Sequence, residues 1–347
     1  MIATARLLFR GLLVLGIFAY LWSNELAAKD GERAITLAVS NDDAQKAIAK
    51  FSKQMAKKHG FDEQQLFSKL SSLKPDRGII ARITRPAESL PWYRYRKIFI
   101  TDKRIEQGVQ FWNDNADTLD KVAKQFAVDP EIIVGIIGVE TFYGRIQGDF
   151  SVFSALHTLG FYYPKRAGFF LKELEQYLIL ARAQDWELLD IKGSYAGAMG
   201  MGQFISSSYT NFGVDYNNDG HVNLFDDKED MIASVANYFK RHGWVRGGFV
   251  AQKIEDSHPL TSIKQQELKL SHSVASLKSK KLIDSDWEKQ SEHLGVFAFD
   301  ADNKREEYWL VGDNFYTITR YNRSSLYALA AYQLSQLIKA KRESRDL

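Results

Sequence analysis

Apolar residues recur along most of this chain with the 3.6-residue period of helices, and strand-like alternation is confined to its last third. Asn41 to Gly60 follows the helical pattern, with Asp42 or Asp43 near its start and Gly60 as its stop. A second helix covers Asp62 to Leu73, before Pro75. Residues 84–100 (TRPAESLPWYRYRKIFI) hold two prolines and read as an extended, aromatic-rich connection. Thr101 can cap one long helix running to Phe126. Ser151 to Leu159 and Lys165 to Ala183 read as helices, the latter with Phe169, Phe170, Leu174, Tyr177, Leu178 and Ala181 on one side. Another runs from Met231 to His242 and stops at Gly243. A polar stretch, Val250 to Glu292, gives way to GVFAFDAD, EEYWLVG and NFYTITRY, which alternate as short antiparallel strands. Ser324 to Ala340 then forms an amphipathic helix carrying Tyr327, Leu329, Ala330, Tyr332, Leu334 and Ile338. The fold class expected from these elements is mainly α with a small antiparallel β lobe, that is α+β.

One element stands apart, Asp129 to Gly148 (DPEIIVGIIGVETFYGRIQG). Asp129 is a good N-cap and Pro130 suits the first helical position. Ile132, Ile133, Ile136, Ile137 and Glu140 share one face of the predicted helix, so four isoleucines aim a carboxylate at apolar surroundings. Burial disfavours the charged form of an acid, so Glu140 is expected to hold its proton to higher pH than a surface Glu. A protonated carboxylic acid in an apolar wall suits general-acid catalysis at a leaving oxygen. Gly135 and Gly138 each cost a helix about 1 kcal/mol relative to Ala, which implies that something approaches that backbone closely. A lone Glu on an apolar face is more often a structural residue paired with an Arg or a backbone amide, so periodicity by itself favours the structural role.

Composition narrows the partners. The chain has 347 residues, 45% of them hydrophobic, enough for a large core and more than one lobe. A net charge of +3 is mildly basic and permits an anionic polymer, but no dense Lys/Arg stripe with interleaved aromatics argues for nucleic acid. The absence of cysteine excludes disulfides, thiolate metal sites, a cysteine nucleophile and a lipidation site. Sixteen Tyr and seven Trp supply aromatic surface suited to stacking on sugar rings. Residues 1–28 read as an export segment: Arg6 and Arg10, an apolar run from Gly11 to Trp22, then Ala27-Ala28. Leu26 spoils the cleavage site, so a signal peptide and an uncleaved N-terminal anchor in the inner membrane both stay open.

Two further stretches carry candidate chemistry. Residues 193–208 (GSYAGAMGMGQFISSS) are too glycine-rich for an ordinary helix and let backbone approach a ligand, with Ser194 and Gln203 as polar hands. Residues 215–226 (DYNNDGHVNLFD) fit the calcium-loop pattern at its first six positions. Asp215, Asn217 and Asp219 supply hard oxygens, Gly220 allows the turn, and the carbonyl of His221 takes the seventh position. The loop's last ligand stays open among Asp226, Asp227, Glu229 and Asp230. The histidines, His157 and His242 among them, are too scattered for a transition-metal site.

GVETFYGRIQG, GSYAGAMGMGQF, the calcium loop followed by SVANYFKRHGW, and NFYTITRYN come in this order. Together they resemble the lytic murein transglycosylases of the B type, over roughly residues 85–340. The resemblance implies a lysozyme-like catalytic core, with domains at 1–28 (signal or anchor), 29–127 (helical lobe), 128–249 (core with calcium loop), 250–321 (β lobe) and 322–347 (C-terminal helix). It implies a periplasmic monomer that cleaves the β-1,4 bond between N-acetylmuramic acid and N-acetylglucosamine, the muramoyl O6 attacking to leave a 1,6-anhydro end. Glu140 matches the catalytic position and would act first as acid, then as base, with no cofactor for catalysis and a structural calcium ion. The family's sugar-contacting residues fall on Tyr95, Arg166, Ser194, Gln203, Tyr238, Tyr321, Asn322 and Tyr327. The same alignment favours Asp230 over Asp226 as last calcium ligand. Lys165 stands where the family often has Arg, which turns a bidentate contact into a point charge. Two other readings compete: a hydrolytic muramidase with a second acid such as Asp149 or Asp190, and a calcium-stabilised glycan-binding protein without turnover.

Overall fold

A computed structural model of the chain describes residues 37–84, 90–283, 290–302 and 305–344, so the export segment lies outside the described residues. Three short helices open it, each started by a side chain that accepts the otherwise orphaned amides of the first turn. Ser40 caps Asn41–His59, Asp62 caps Glu63–Ser72, and Asp76 caps Arg77–Ile83. Gly60, at φ 67°, ends the first of them in the left-handed region. Among the described residues no helix is long and apolar enough to cross a membrane.

The next stretch departs from the sequence reading twice. Trp92–Phe99 is a helix rather than an extended connection. Pro91 sits just before its first turn, where a missing N–H costs nothing, and Trp92, Tyr95 and Phe99 bury one face. The long helix expected from Thr101 is two helices, Asp102–Asp114 and Ala116–Phe126, broken at Asn115. Asn115 turns its side-chain amide back onto the carbonyl of Phe111 at 2.7 Å, a local bond that competes with continuing the helix.

Pro130–Thr141 follows, and every residue from Glu131 to Thr141 is buried. The isoleucine face is therefore part of a helix enclosed on all sides, as an all-round apolar sequence requires. Asp129 precedes it without capping it; its carboxylate instead accepts from the Trp244 indole at 2.9 Å and from the Gly247 amide. The C-terminal helix, Ser325–Glu343, lies antiparallel along it. A Cβ on Gly135 would stand 2.8 Å from Ser335 Cβ and 3.0 Å from the Ala331 carbonyl, and one on Gly138 would meet the Tyr143 ring at 2.6–2.8 Å. Neighbouring protein, not a ligand, is what these glycines admit.

Around this pair lie helices Val152–Tyr162, Ala167–Ala183, Ser206–Phe212 and Lys228–Arg241, with a short 3-10 turn at Pro164–Arg166. Strands β1 (Phe150–Ser151) and β2 (Lys192–Gly193) form a small antiparallel pair beside the glycine-rich stretch. The β lobe is one antiparallel sheet of β3 (Ala251–Ile254), β4 (His272–Ser273), β5 (His293–Asp300) and β6 (Glu306–Gly312), in the order β3-β6-β5-β4. Leu260, Ile263, Val274, Leu277, Leu294, Val296 and Leu310 give it a core of its own. NFYTITRY is not a strand: Asp313–Tyr321 is a helix, so the sheet ends at Gly312.

His157 is fully buried in the Val152–Tyr162 helix against the rings of Phe161 and Tyr162, and burial lowers its pKa from 6.5 to about 4. The unfolded chain then binds this proton more readily than the folded one, so stability falls as pH drops through 6.5 and levels off below 4. The full loss amounts to about 3 kcal/mol. Urea titrations at pH 7 and pH 4.5 are expected to show most of it in the wild type, and a His157→Phe variant is expected to lose that part of the slope. Gly135→Val should lower stability by about 1–3 kcal/mol through overpacking against Ser335 and Ala331, read by the same titration at pH 7.

Candidate active site and candidate calcium loop

Glu140 occupies the last turn of the Pro130–Thr141 helix with 2% of its surface exposed. The chain then turns through left-handed residues in succession, Phe142 (φ 53°), Tyr143 (φ 61°) and Gly144 (φ 84°). For Phe and Tyr this backbone costs about 1–2 kcal/mol each, and surrounding contacts hold it. Thr141 Oγ1 donates to the Met201 carbonyl at 2.7 Å and accepts from the Gly144 amide, and the Tyr143 hydroxyl donates to the Arg104 carbonyl at 2.8 Å.

Across the helix pair, Tyr327 donates its hydroxyl to Glu140 Oε1 at 2.5 Å. Burial first, and then the neighbouring carboxylate, push the Tyr327 phenol well above its ordinary pKa, so it remains a donor over the whole working range. Tyr321 and Tyr95 lie close enough to add to that effect. Tyr321 donates to the Gly202 carbonyl at 2.5 Å, its ring stacks on Phe239 at 5.8 Å, and Tyr238 meets it edge-on at 4.8 Å. Five sequence-derived positions, Tyr95, Glu140, Tyr238, Tyr321 and Tyr327, are thus brought together from five helices.

The remaining positions sit around this centre in different ways. Ser194, 4% exposed, accepts the amides of Ala196 and Ala198 and shapes the glycine-rich turn. Gln203, in left-handed backbone at φ 51°, gives its side-chain amide to the carbonyls of Gln147 and Gly200. Asn322 is buried just after the Asp313–Tyr321 helix. Arg166 stands over the rings of Phe169 and Phe170 at 4.5 and 5.4 Å, with Arg323 nearby, while Lys165 is exposed. The glycines of the 193–204 stretch again admit protein: a Cβ on Gly193 would be 2.1 Å from the Ala198 carbonyl, and one on Gly200 2.5 Å from that of Leu224.

Asp149 and Asp190, the candidates for a second acid, are both exposed. The other buried carboxylates are engaged elsewhere: Glu131 pairs with Lys339 at 2.8 Å, Glu173 accepts from the amide and hydroxyl of Ser207, and Asp230 accepts amides of the 215–226 loop. A cavity of about 230 Å³ lies at the opposite end of the Pro130–Thr141 helix, lined by Trp112, Asp129, Glu131, Arg246, Lys339 and Arg342. Glu131 and Glu140 are roughly 13 Å apart along that helix, so this cavity is not the surroundings of the buried acid.

The sequence places Thr141 to Arg145, with two aromatics and a cation, beside the acid, but gives no sign of the bonds that Thr141 and Tyr143 make, nor of Gln147. Gln147 donates to the Phe225 carbonyl at 3.0 Å and to that of Gly144, while its own carbonyl takes Gln203. The x-x-x spacing of a turn gives no sign of such reach.

In the 215–226 loop, Asp215 accepts the amides of Asp219 and Gly220, Asp219 accepts that of His221, and Gly220 takes φ 92°. Asp230 is fully buried and accepts from Tyr216 N and Asn223 N at 2.7 and 2.8 Å, whereas Asp226 is exposed and Asp227 caps the Lys228–Arg241 helix. Burial first, then the charges of Asp227 and Asp215, push the Asp230 carboxyl up. Among the described residues none of the ion pairs involves Asp215, Asp219, Asp227 or Asp230. Among them, too, no three His, Asp or Glu side chains form an ion cage by themselves. The donor set fits calcium through hard oxygens from Asn217 and the main chain as well as carboxylates.

Comparison with known proteins places the chain. The model of the transglycosylase SLT domain matches residues 43–336. Membrane-bound lytic murein transglycosylase B of Escherichia coli (strain K12) is 41% identical over 313 residues, covering 87% of this chain and 84% of that protein. The crystal structure of soluble lytic transglycosylase SltB1 from Pseudomonas aeruginosa superposes with a TM-score of 0.74 at 42% identity, over 86% of this chain and 99% of that one. Escherichia coli lytic transglycosylase Slt35 in complex with calcium gives 0.76 at 42% identity, over 87% and 94%. The chain therefore belongs to the transglycosylase SLT family and, within it, to the lytic murein transglycosylases of the B type.

Proposed function

We propose that this member of the family, an enzyme that cleaves peptidoglycan, works with Glu140 as its single acid–base group and releases 1,6-anhydro-muramoyl ends. The observation that carries this reading is a carboxyl 2% exposed, held at 2.5 Å by a phenol that stays protonated. Glu140 gives its proton to the glycosidic oxygen as the bond from the muramoyl anomeric carbon breaks. The muramoyl O6 then bonds to that carbon and returns its proton to Glu140, so the acid is restored and no water is consumed. One residue serves both steps because the carboxyl that loses its proton to the glycosidic oxygen is left as the base that takes the proton of O6. Tyr327 fixes the carboxyl's rotamer and donates to it while it is charged. Tyr95, Tyr238, Tyr321 and Asn322, with Gln203 and Ser194 behind them, form the glycan-facing side of the reading, and Arg166 an outlying cation. Among the described residues the other buried glutamates, Glu131 and Glu173, are engaged away from Glu140, which leaves the two-acid hydrolytic alternative to the exposed Asp149 and Asp190. The reading includes export to the periplasm, for which the N-terminal sequence is the support.

Calcium belongs to the same reading, held by Asp215, Asn217, Asp219, the His221 carbonyl and Asp230. When bound it supplies charge compensation to the loop and takes no part in the reaction. Support comes from the mutual repulsion of the Asp215, Asp227 and Asp230 carboxylates, none of which is in an ion pair among the described residues, and from the calcium complex of Slt35.

Digestion of purified peptidoglycan followed by mass spectrometry is expected to give ends lacking one water; water-adducted reducing ends would reject the mechanism, and retention without turnover would favour the glycan-binding alternative. Glu140→Gln should lose about 100- to 10,000-fold of the rate with its melting curve retained. Calcium at a hundredfold excess over its Kd should raise stability by about 2.7 kcal/mol after chelator treatment, read by thermal melting, and Asp230→Ala should abolish the shift.

A further inference from the structure

The helix Asn41–His59 carries two rows of side chains at the same spacing. Ala44, Ile48, Phe51 and Met55 are buried, and Lys46, Lys50, Lys53 and Lys57 are all exposed. Each lysine lies two residues after a buried one, a rotation of about 200°, so the lysine row points straight away from the core. It is roughly 16 Å long at 1.5 Å per residue. Lys46 has Asp43 at 3.8 Å and Lys58 has Glu175 at 3.6 Å, while among the described residues no ion pair takes Lys50, Lys53 or Lys57. The only acids on the helix, Asp42 and Asp43, stand in its first turn. Four cations are therefore spread along one outward face, and the two exposed acids of the helix stand only at its first turn, beside Lys46.

We propose that this lysine row docks on the anionic headgroup surface of a phospholipid bilayer. The occupant follows from charge and from place in the chain. The apolar run Gly11–Trp22 precedes the helix, and residues 23–40 between them span roughly 60 Å at most when fully extended. A bilayer that takes up that run thus lies within reach of the helix, and a basic face close behind a hydrophobic segment is attracted to anionic lipid. No aromatic or large aliphatic residue belongs to the row, so contact is with headgroups rather than by insertion, and single-stranded nucleic acid finds no stacking platform there. The row is remote from Glu140 in sequence and shares no residue with the reaction proposed above, so it stands or falls separately.

Sedimentation of the full chain with phosphatidylcholine vesicles, with and without phosphatidylglycerol, tests this. The apolar run binds both kinds. The lysine row adds a preference for the anionic vesicles of about a hundredfold at low salt, shrinking as salt rises. The triple variant Lys50→Gln, Lys53→Gln, Lys57→Gln is expected to lose most of that preference while keeping binding to neutral vesicles, its melting curve and its turnover. Equal binding of the wild type to both vesicles, or an unchanged preference in the variant, overturns the proposal. So does a variant that binds vesicles normally but no longer sediments with purified peptidoglycan, which would assign the row to the carboxylates of the wall.

Discussion

The antiparallel contact between Pro130–Thr141 and Ser325–Glu343 is the constraint on which the site depends. It is held at one end by Lys339 with Glu131, in the middle by Gly135 against Ala331 and Ser335, and at the other end by Tyr327 with Glu140. Tyr327, Ala331, Ser335 and Lys339 recur every four residues, one face of the C-terminal helix. The register that seats Ser335 on a glycine is thus the register that brings a phenol within 2.5 Å of a buried carboxyl. A side chain at position 135 would push the helices apart, and a hydrogen bond at that distance has no slack. Packing in the middle of the pair therefore sets electrostatics at its end.

Much of this was legible in the sequence. Ile132, Ile133, Ile136, Ile137 and Glu140 announced a helix that buries an acid, and they do so. What periodicity could not show was the opposite face: Val134, Gly135, Val139 and Thr141 are equally enclosed, Gly135 against Ala331 and Ser335 of the C-terminal helix and Thr141 against the Met201 carbonyl, partners far away in sequence. Gly135 and Gly138 were read as admitting a close neighbour, and they admit Ser335 and Tyr143; the glycines of 193–208 were read as admitting a ligand, and Gly193 and Gly200 admit Ala198 and Leu224. A glycine reports that something is near and is silent about what.

The misread segments have physical reasons too. NFYTITRY is rich in β-branched and aromatic residues, so its local preference is for a strand. Its burial follows the helical spacing instead, with Asn314, Phe315, Thr317, Ile318 and Thr319 inward, and tertiary packing wins. Asp313 secures the change of direction by accepting from the hydroxyl of Ser291 and the amides of Glu292 and His293, which pins the helix to the start of β5. In residues 84–100 the prolines suggested an extended chain, yet Pro91 is compatible with the position preceding a helix. The Trp92 indole then donates to Glu307 of β6 at 2.5 Å, a long-range bond absent from any local pattern.

The 215–226 loop and the acid, separated in sequence, share a wall. The Leu224 carbonyl accepts the Met201 amide at 2.8 Å, and the Met201 carbonyl accepts Thr141 Oγ1 at 2.7 Å, one residue beyond Glu140. In parallel, Gln147 spans from the Phe225 carbonyl to the side chain of Gln203. The first route is made mostly of main-chain groups, which have few alternative partners and cannot yield by changing rotamer, and the second ends both of its side-chain amides on main-chain carbonyls. A loop whose carboxylates repel one another would strain those bonds, whereas one whose charge is compensated would leave them at rest. The turn after Glu140, already in left-handed backbone at Phe142 and Tyr143, is the part of the site least able to absorb such strain. A cation with no place in the chemistry would in this way fix the direction in which the acid points.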